Sequence, residues 1–347
     1  FKQKTAYEIG VRLVGSEMCI RDRFRIGVVG FGVIAMGYKQ FGQQTFWDVR
    51  QGQRETKLDD LRTRIDFEIF RSLLEAAFPP HRLGQSKYPP LFLFKVMLLQ
   101  KWYGLSDEGV EAAIADRLSF KRFLGMSSTD SIPDATTLVL FRKALREKDL
   151  LDELFSLLDK HLREQGLLVN GGQMVDVTFV AAPKAKDADK NWLDTDADFG
   201  HKGHGYSMAT NVEKTSKLIA KVEMGSARPH DSQYLESVLT GEEQELWADS
   251  AFVHLAPGLE ARGISTHIHE KPYRNRPLTD EQKERNRIKS KTRARVEHPY
   301  AEIKCRQGFR VVRYWGLVAN RADALLHSIA YNLKRMCFLQ RAKACPG

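Results

Sequence analysis

The sequence predicts an all-α domain followed by an α/β domain built on one mixed sheet. Three observations predict it. Apolar residues recur at helical spacing from Ile65 to about Gln165. From Leu167 the pattern changes to β-rich runs, and a strongly basic helix follows the strands. The 347 residues allow about two domains on a prior of roughly 150 residues each. The expected division is a leader over 1–35, a helical DNA-binding or assembly domain over 36–165, and the α/β domain over 166–340.

The leader is set apart by its first residues. "KTAYEIGVRLVGSEMCIRDR", Lys4 to Arg23, resembles a peptide translated from sequencing-adapter DNA, so residues 1–23 are excluded from fold reasoning. "IGVVGFGVIA" then offers Gly30-x-Gly32-x-x-Ala35, a dinucleotide-binding fingerprint. That motif needs a βαβ unit of about 30 residues. The Gly- and Gln-rich "MGYKQFGQQTFWDVRQGQ" that follows supplies no second strand, and Met36 is the expected natural start.

In the helical block, "FEIFRSLLEAAF" spaces its apolar residues by three and four and stops at Pro79-Pro80. "PPLFLFKVMLLQKWYG" is apolar on most faces and so reads as a buried helix. "LSDEGVEAAIADRLSFKRFLG" starts at a Ser106 cap and ends at Gly125. "PDATTLVLFRKALREKDLLDELFSLLDKHLREQG" supplies further helices. Such a bundle suits a helix-turn-helix-like DNA reader or an oligomerisation module.

In the α/β part, "QMVDVTFVAA" reads as a strand. Tyr206–Val212 and Leu218–Met224 form two more around a polar turn. "SQYLESVLTG" is a short helix, "ELWADSAFVHLAPGLEARG" a strand then a helix, and "STHIH" a strand. Lys271 to Lys291 reads as a charged loop entering the late helix "RARVEHPYAEIKCRQGFRVVRY".

Charge narrows the class of partner. The net charge of +10 falls only to +8 without residues 1–23, and it is concentrated late. Between Lys283 and Arg313 stand eleven Lys or Arg against three Glu, which suits a polyanion such as nucleic acid. Cys19, Cys305, Cys337 and Cys345 form no CxxC pair, so a reducing cytoplasm is expected. No uninterrupted apolar run is long enough to cross a bilayer.

Three carboxylates stand out. Asp176 interrupts the apolar "MVDVTFV", where burying an isolated charge is expensive; it is either on a solvated edge or a ligand held on rigid backbone. Asp249 follows "ELWA" and alone reads as a helix N-cap. At 100° per residue, Val296, Tyr300 and Ile303 form a core stripe within about 60°. Arg293, Glu297 and Lys304 lie within about 40° of one another beside it. Glu297 there is either half of an i,i+4 pair with Arg293 or a ligand. Together the three acids suit two hard divalent cations held by oxygen, able to act on both oxygens of a displacement at phosphorus.

These motifs resemble the bacterial insertion-sequence transposases with a DDE triad, the group named after insertion sequences four and five. The resemblance is carried by "MVDVTFVAAP", "ARPHDSQYLESVL", "LWADSAF" and "RARVEHPYAEIK", the last holding Arg-x3-Glu-x6-Lys as Arg293, Glu297 and Lys304. Ser290 stands where the family usually has Tyr. The resemblance implies a ribonuclease-H-like fold for the α/β domain. It also implies Asp176, Asp249 and Glu297 as catalytic metal ligands for two Mg²⁺, with Mn²⁺ able to substitute. Arg293, Lys304, Arg295 and Lys291 would contact DNA. The implied partners are terminal inverted repeats, target DNA and at least a second copy of the chain, in a cytoplasmic, nucleoid-associated setting. The implied reaction is cleavage at the element's ends, then attack of the freed 3′-hydroxyl on target DNA.

The competing readings are a catalytically inactive DNA-binding protein derived from a transposase, and a nicotinamide enzyme resting on "GFGVIA" alone. Among lesser motifs, Asp231 reads as a helix cap and "HKGHGYS" as a loop near DNA. His267 and His269 lack partners for a zinc site, and Trp192 or Trp315 offer aromatic faces for a base.

Overall fold

The computed structural model describes residues 39, 41–42, 55–79, 87–169, 171–273 and 276–344. The adapter-like leader, the Gly30–Ala35 fingerprint and Met36 lie outside them. The helical part runs α1 (Lys57–Arg64), α2 (Arg71–Ala77), α3 (Pro90–Tyr103), α4 (Asp107–Asp116), α5 (Leu118–Leu124), α6 (Ala135–Glu147) and α7 (Leu150–Glu164). Its ends follow local chemistry. Ser106 Oγ accepts from Gly109 N at 2.9 Å, Asp134 accepts from Thr137 N, and Gly104 closes α3 with φ +63°. The stretch read as one helix to Gly125 is two helices, broken at Arg117, whose backbone is extended.

A six-stranded mixed sheet follows: β1 (Gln173–Ala181), β2 (Asp198–Gly200), β3 (Gly203–Glu213), β4 (Ile219–Ser226), β5 (Glu245–Ala248) and β6 (Ser265–Ile268). The order is β2-β3-β1-β5-β6, with β4 also on β3. Strand β1 is antiparallel to β3 and parallel to β5, and β5 is parallel to β6. The "HKGHGYS" stretch is not a loop: Gly200 pairs with Gly203, leaving His201 and Lys202 as the tip of a two-residue hairpin.

Short helices α8 (Leu235–Val238) and α9 (Ala256–Ala261) flank β5 in sequence. Next come α10 (Asp280–Arg293), α11 (Glu297–Ala301) and α12 (Leu317–Ala344). The charged stretch read as a loop is largely α10, capped reciprocally by Thr279 and Gln282. The late basic helix is not uniform either. It passes from a 3₁₀ turn at Ala294–Val296 through α11 to a widened π turn at Glu302–Arg306.

One apolar core is continuous from the helical block through α12 to the sheet face that carries Met174, Val180 and Tyr206. A second, smaller core lies on the opposite face, where Val175 and Val177 meet Leu235, Phe252 and Leu259. Helix α12 ties block to sheet. Trp102 Nε1 donates to Ala330 O at 2.8 Å, Asn332 bonds both backbone groups of Ile219, and Lys101 pairs with Asp323 in the core. Among the described residues no helix is long and apolar enough to cross a membrane.

Candidate active site

The site begins with register. Gln173 pairs with Leu246 and Met174 with Trp247 in parallel, so continuing two residues further sets Asp176 level with Asp249 just past the end of β5. Asp249 also caps the turn beyond the strand, accepting from Ala251 N at 2.8 Å. The cap reading and the site reading are therefore compatible, since Oδ1 holds the turn and Oδ2 remains toward the Arg293 guanidinium.

A single cation joins the two acids. Arg293 Nη2 lies 3.0 Å from Asp176 Oδ1 and 3.9 Å from Asp249 Oδ2. Burial pushes the Asp176 carboxyl above its usual range; Arg293 opposes this and Asp249 adds to it. Arg293 Nε is itself buried without a hydrogen bond, so Nη2 carries the guanidinium's bond to Asp176.

Six contacts fasten the Arg293–Val312 segment along β1. Besides Arg293, the buried Tyr300 hydroxyl donates to Asp176 O at 2.7 Å, and Lys304 Nζ donates to Thr178 Oγ1 and Phe179 O, both at 2.6 Å. Beyond the helix, the Ala181 amide donates to Arg310 O and the Val312 amide to Ala181 O. Lys304 lies within the widened turn.

Glu297 sits one turn after Arg293 and three residues before Tyr300, both of which reach Asp176. It is exposed, and among the described residues its carboxylate has no hydrogen bond or ion pair. The Arg293–Glu297 pair expected of an ordinary helix surface is absent because Arg293 turns to the two aspartates.

The remaining predicted residues are placed as follows. Lys304 is partly buried against β1, and burial lowers its pKa. Arg295 is exposed and donates to Lys214 O at 3.2 Å; Lys291 is exposed. Ser290 bonds His269 Nε2 at 3.2 Å, and His267 stacks on Trp247 at 4.3 Å. Trp192 stacks on His204, while Trp315 is half exposed. Asp231 does not cap its turn. His230 does, its ring accepting from Ser232 N. The Asp231 carboxyl is raised by burial and then by Asp249, which places a fourth acid beside the site. Neither Asp231 nor the Tyr300 contact follows from sequence spacing.

Among the described residues, no three His, Cys, Asp or Glu side chains are gathered as a ready metal cage. The donor chemistry nevertheless fits a hard divalent ion. Asp176 and Asp249 are oxygen donors on or beside rigid strands and already share one positive group. An acid-rich site behind a helix bonded along its central strand defines a candidate centre for phosphoryl transfer. Residues 170–333 match the family model of the transposase DDE domain, and residues 47–144 match that of the transposase domain DUF772. The two matches support a DNA transposase of the insertion-sequence DDE kind, with the ribonuclease-H-like fold of that class.

Proposed function

We propose that this chain cuts DNA at the ends of an insertion element and joins the freed end to target DNA, with Asp176, Asp249 and Glu297 as its catalytic acids. The observation that carries this reading is the level placement of Asp176 and Asp249 around one shared cation. Glu297 stands free one helical turn from that cation. In the first step water adds at the phosphorus and the bond to the element's 3′ oxygen breaks, leaving a 3′-hydroxyl and a 5′-phosphate. In the second, that hydroxyl attacks a target phosphodiester and displaces a target 3′ oxygen.

Asp176, Asp249 and Glu297 would hold the divalent ions, Mg²⁺ or Mn²⁺, which supply positive charge for the attacking and leaving oxygens. Tyr300 and Lys304 position β1 by gripping the backbone around Asp176. Arg293, once drawn off the aspartates, offers two parallel donors to a phosphate, and exposed Arg295 and Lys291 extend the basic surface. The helical domain would engage the terminal inverted repeats, and two copies would hold paired ends in the cytoplasm, at the nucleoid.

The test is cleavage of a supercoiled plasmid carrying the DNA that flanks the coding sequence, with Mg²⁺ present. Asp176→Asn, Asp249→Asn and Glu297→Gln should each lower the rate by at least about 10²-fold. A wild-type chain that binds this DNA and never nicks it would favour an inactive descendant. Full activity of Glu297→Gln would remove that residue from the triad.

A further inference from the structure

Beside the acids lies a groove of about 470 Å³ that the reaction above does not use. Its walls carry Phe179 of β1, Phe199 of β2, the hairpin tip His201–Lys202, and Arg228 and His230 from the segment after β4. It includes Val177, next to Asp176 on β1, and ends at Asp231, whose turn packs on the turn that Asp249 caps, so the groove and the candidate active site adjoin. We propose that this groove binds an unpaired segment of the DNA strand being processed, with a base stacked on Phe199 and its phosphates against Lys202 and Arg228. The proposal rests on the DNA-cutting reading for the identity of the strand.

The chemistry favours nucleic acid over an apolar ligand. Phe199 is 54% exposed, a large aromatic left in water beside four basic or imidazole side chains. Its ring is backed edge-on by Trp192 at 5.6 Å, and Trp192 stacks on buried His204 at 4.5 Å. Such a backed ring loses little freedom when a base lies on it. Lys202 and Arg228 are exposed, and the weak 3.6 Å pair of Arg228 with Asp198 at the rim leaves the guanidinium available. Lys202 is also close enough to Lys304 to disfavour that charge, so the cationic field continues from the groove to the catalytic strand.

Size argues for an unpaired strand. A space of a few hundred cubic ångströms takes a base or two, not a double helix. Aromatic platforms inside a basic groove are also how sequence-tolerant single-strand binding is achieved.

The experiment is fluorescence anisotropy of the full chain, in EDTA to prevent cutting. The probes are a labelled mixed-sequence single-stranded oligonucleotide and its duplex. Phe199→Ala should weaken single-strand binding about 10-fold and leave duplex binding unchanged. Lys202→Glu with Arg228→Glu should weaken the single strand and flatten its salt dependence. Circular dichroism of each variant checks the fold, because the half-exposed Phe199 ring also packs against Trp192 and His204. Single-strand binding unchanged in Phe199→Ala, or equal losses on both probes, would overturn the proposal. If Phe199-dependent binding holds while the wild-type chain never cuts, the cutting reading fails and the groove stands.

Discussion

Replacing Arg293 by glutamine tests the central feature of the site, one guanidinium shared by two carboxylates. The Asp176 side chain is 16% exposed and that of Arg293 28%, so the pair is sheltered but not sealed from water. Removing one member of a fully buried pair costs about 3–5 kcal/mol. Solvent access at this exposure reduces the figure to roughly 1–2 kcal/mol. In the variant, Asp176 faces Asp249 with no cation between them. The metal-free protein should therefore melt about 1–4 °C lower, since the shift per kcal/mol falls with chain length to roughly 1–2 °C at this size. Mg²⁺ should then stabilise the variant more than the native chain, because no guanidinium competes for the carboxylates. The same 1–2 kcal/mol lowers the Mg²⁺ midpoint roughly 5- to 30-fold. Thermal unfolding across a Mg²⁺ titration, starting from EDTA, reads both effects. An Arg293→Gln chain that melts like the native one without metal, or that needs as much Mg²⁺, refutes the argument. Lys291→Gln, exposed and away from the aspartates, is the control.

Other outcomes follow from the same contacts. Glu297→Gln should leave the unfolding temperature within the error of the measurement, because an exposed, unpaired carboxylate supports no contact; a clear loss of stability would show a structural role. Lys101→Met leaves Asp323 buried without its ammonium partner and should cost about 3–5 kcal/mol in denaturant unfolding. Adding Asp323→Leu should restore most of it, and failure to do so would mean the pair is net stabilising. Burial, and then Lys101, push His327 down to about 4 against an unfolded value near 6.5, although Asp323 pulls the other way. A depressed histidine contributes stability that is full above pH 6.5 and lost as pH falls toward 4. His327→Gln should flatten that acid limb, by up to roughly 3 kcal/mol, in pH-dependent unfolding.

The helical block was legible because helices that bury one face or all faces repeat their apolar residues. Helix α3, buried on nearly every side, and the Ser106 and Asp134 caps illustrate this. Helix α10 was not legible by that rule, since none of its residues is buried and periodicity has nothing to report. Its Thr279-x-x-Gln282 capping box was the signal that could have found it. The break at Arg117 was hidden because both flanking helices pack into the same core and keep one apolar rhythm. In the site, Asp176 showed itself by breaking an apolar strand. Asp231 and the Tyr300 contact depend on tertiary packing that carries no mark in sequence spacing. Tyr300 sits on the core stripe, as expected, and only the fold shows its hydroxyl ending on the Asp176 carbonyl.

The same geometry explains why a helix so rich in bases keeps a carboxylate. On an open surface, Glu297 and Arg293 at i,i+4 would pair and gain a few tenths of a kcal/mol. Here two acids on the sheet draw Arg293 inward, and Lys304 is committed to the backbone of β1. The bases flanking Glu297 on its own stripe are thus both engaged elsewhere, and the glutamate keeps its charge without a partner. A helix evolved only for solubility or packing gains nothing from that arrangement. On the proposed reading, the free Glu297 carboxylate would be the third oxygen donor beside the two sheet-borne aspartates. The unpaired state of Glu297 thus follows from the doubly claimed state of Arg293, so freeing Arg293 from the aspartates would make the i,i+4 pair available again.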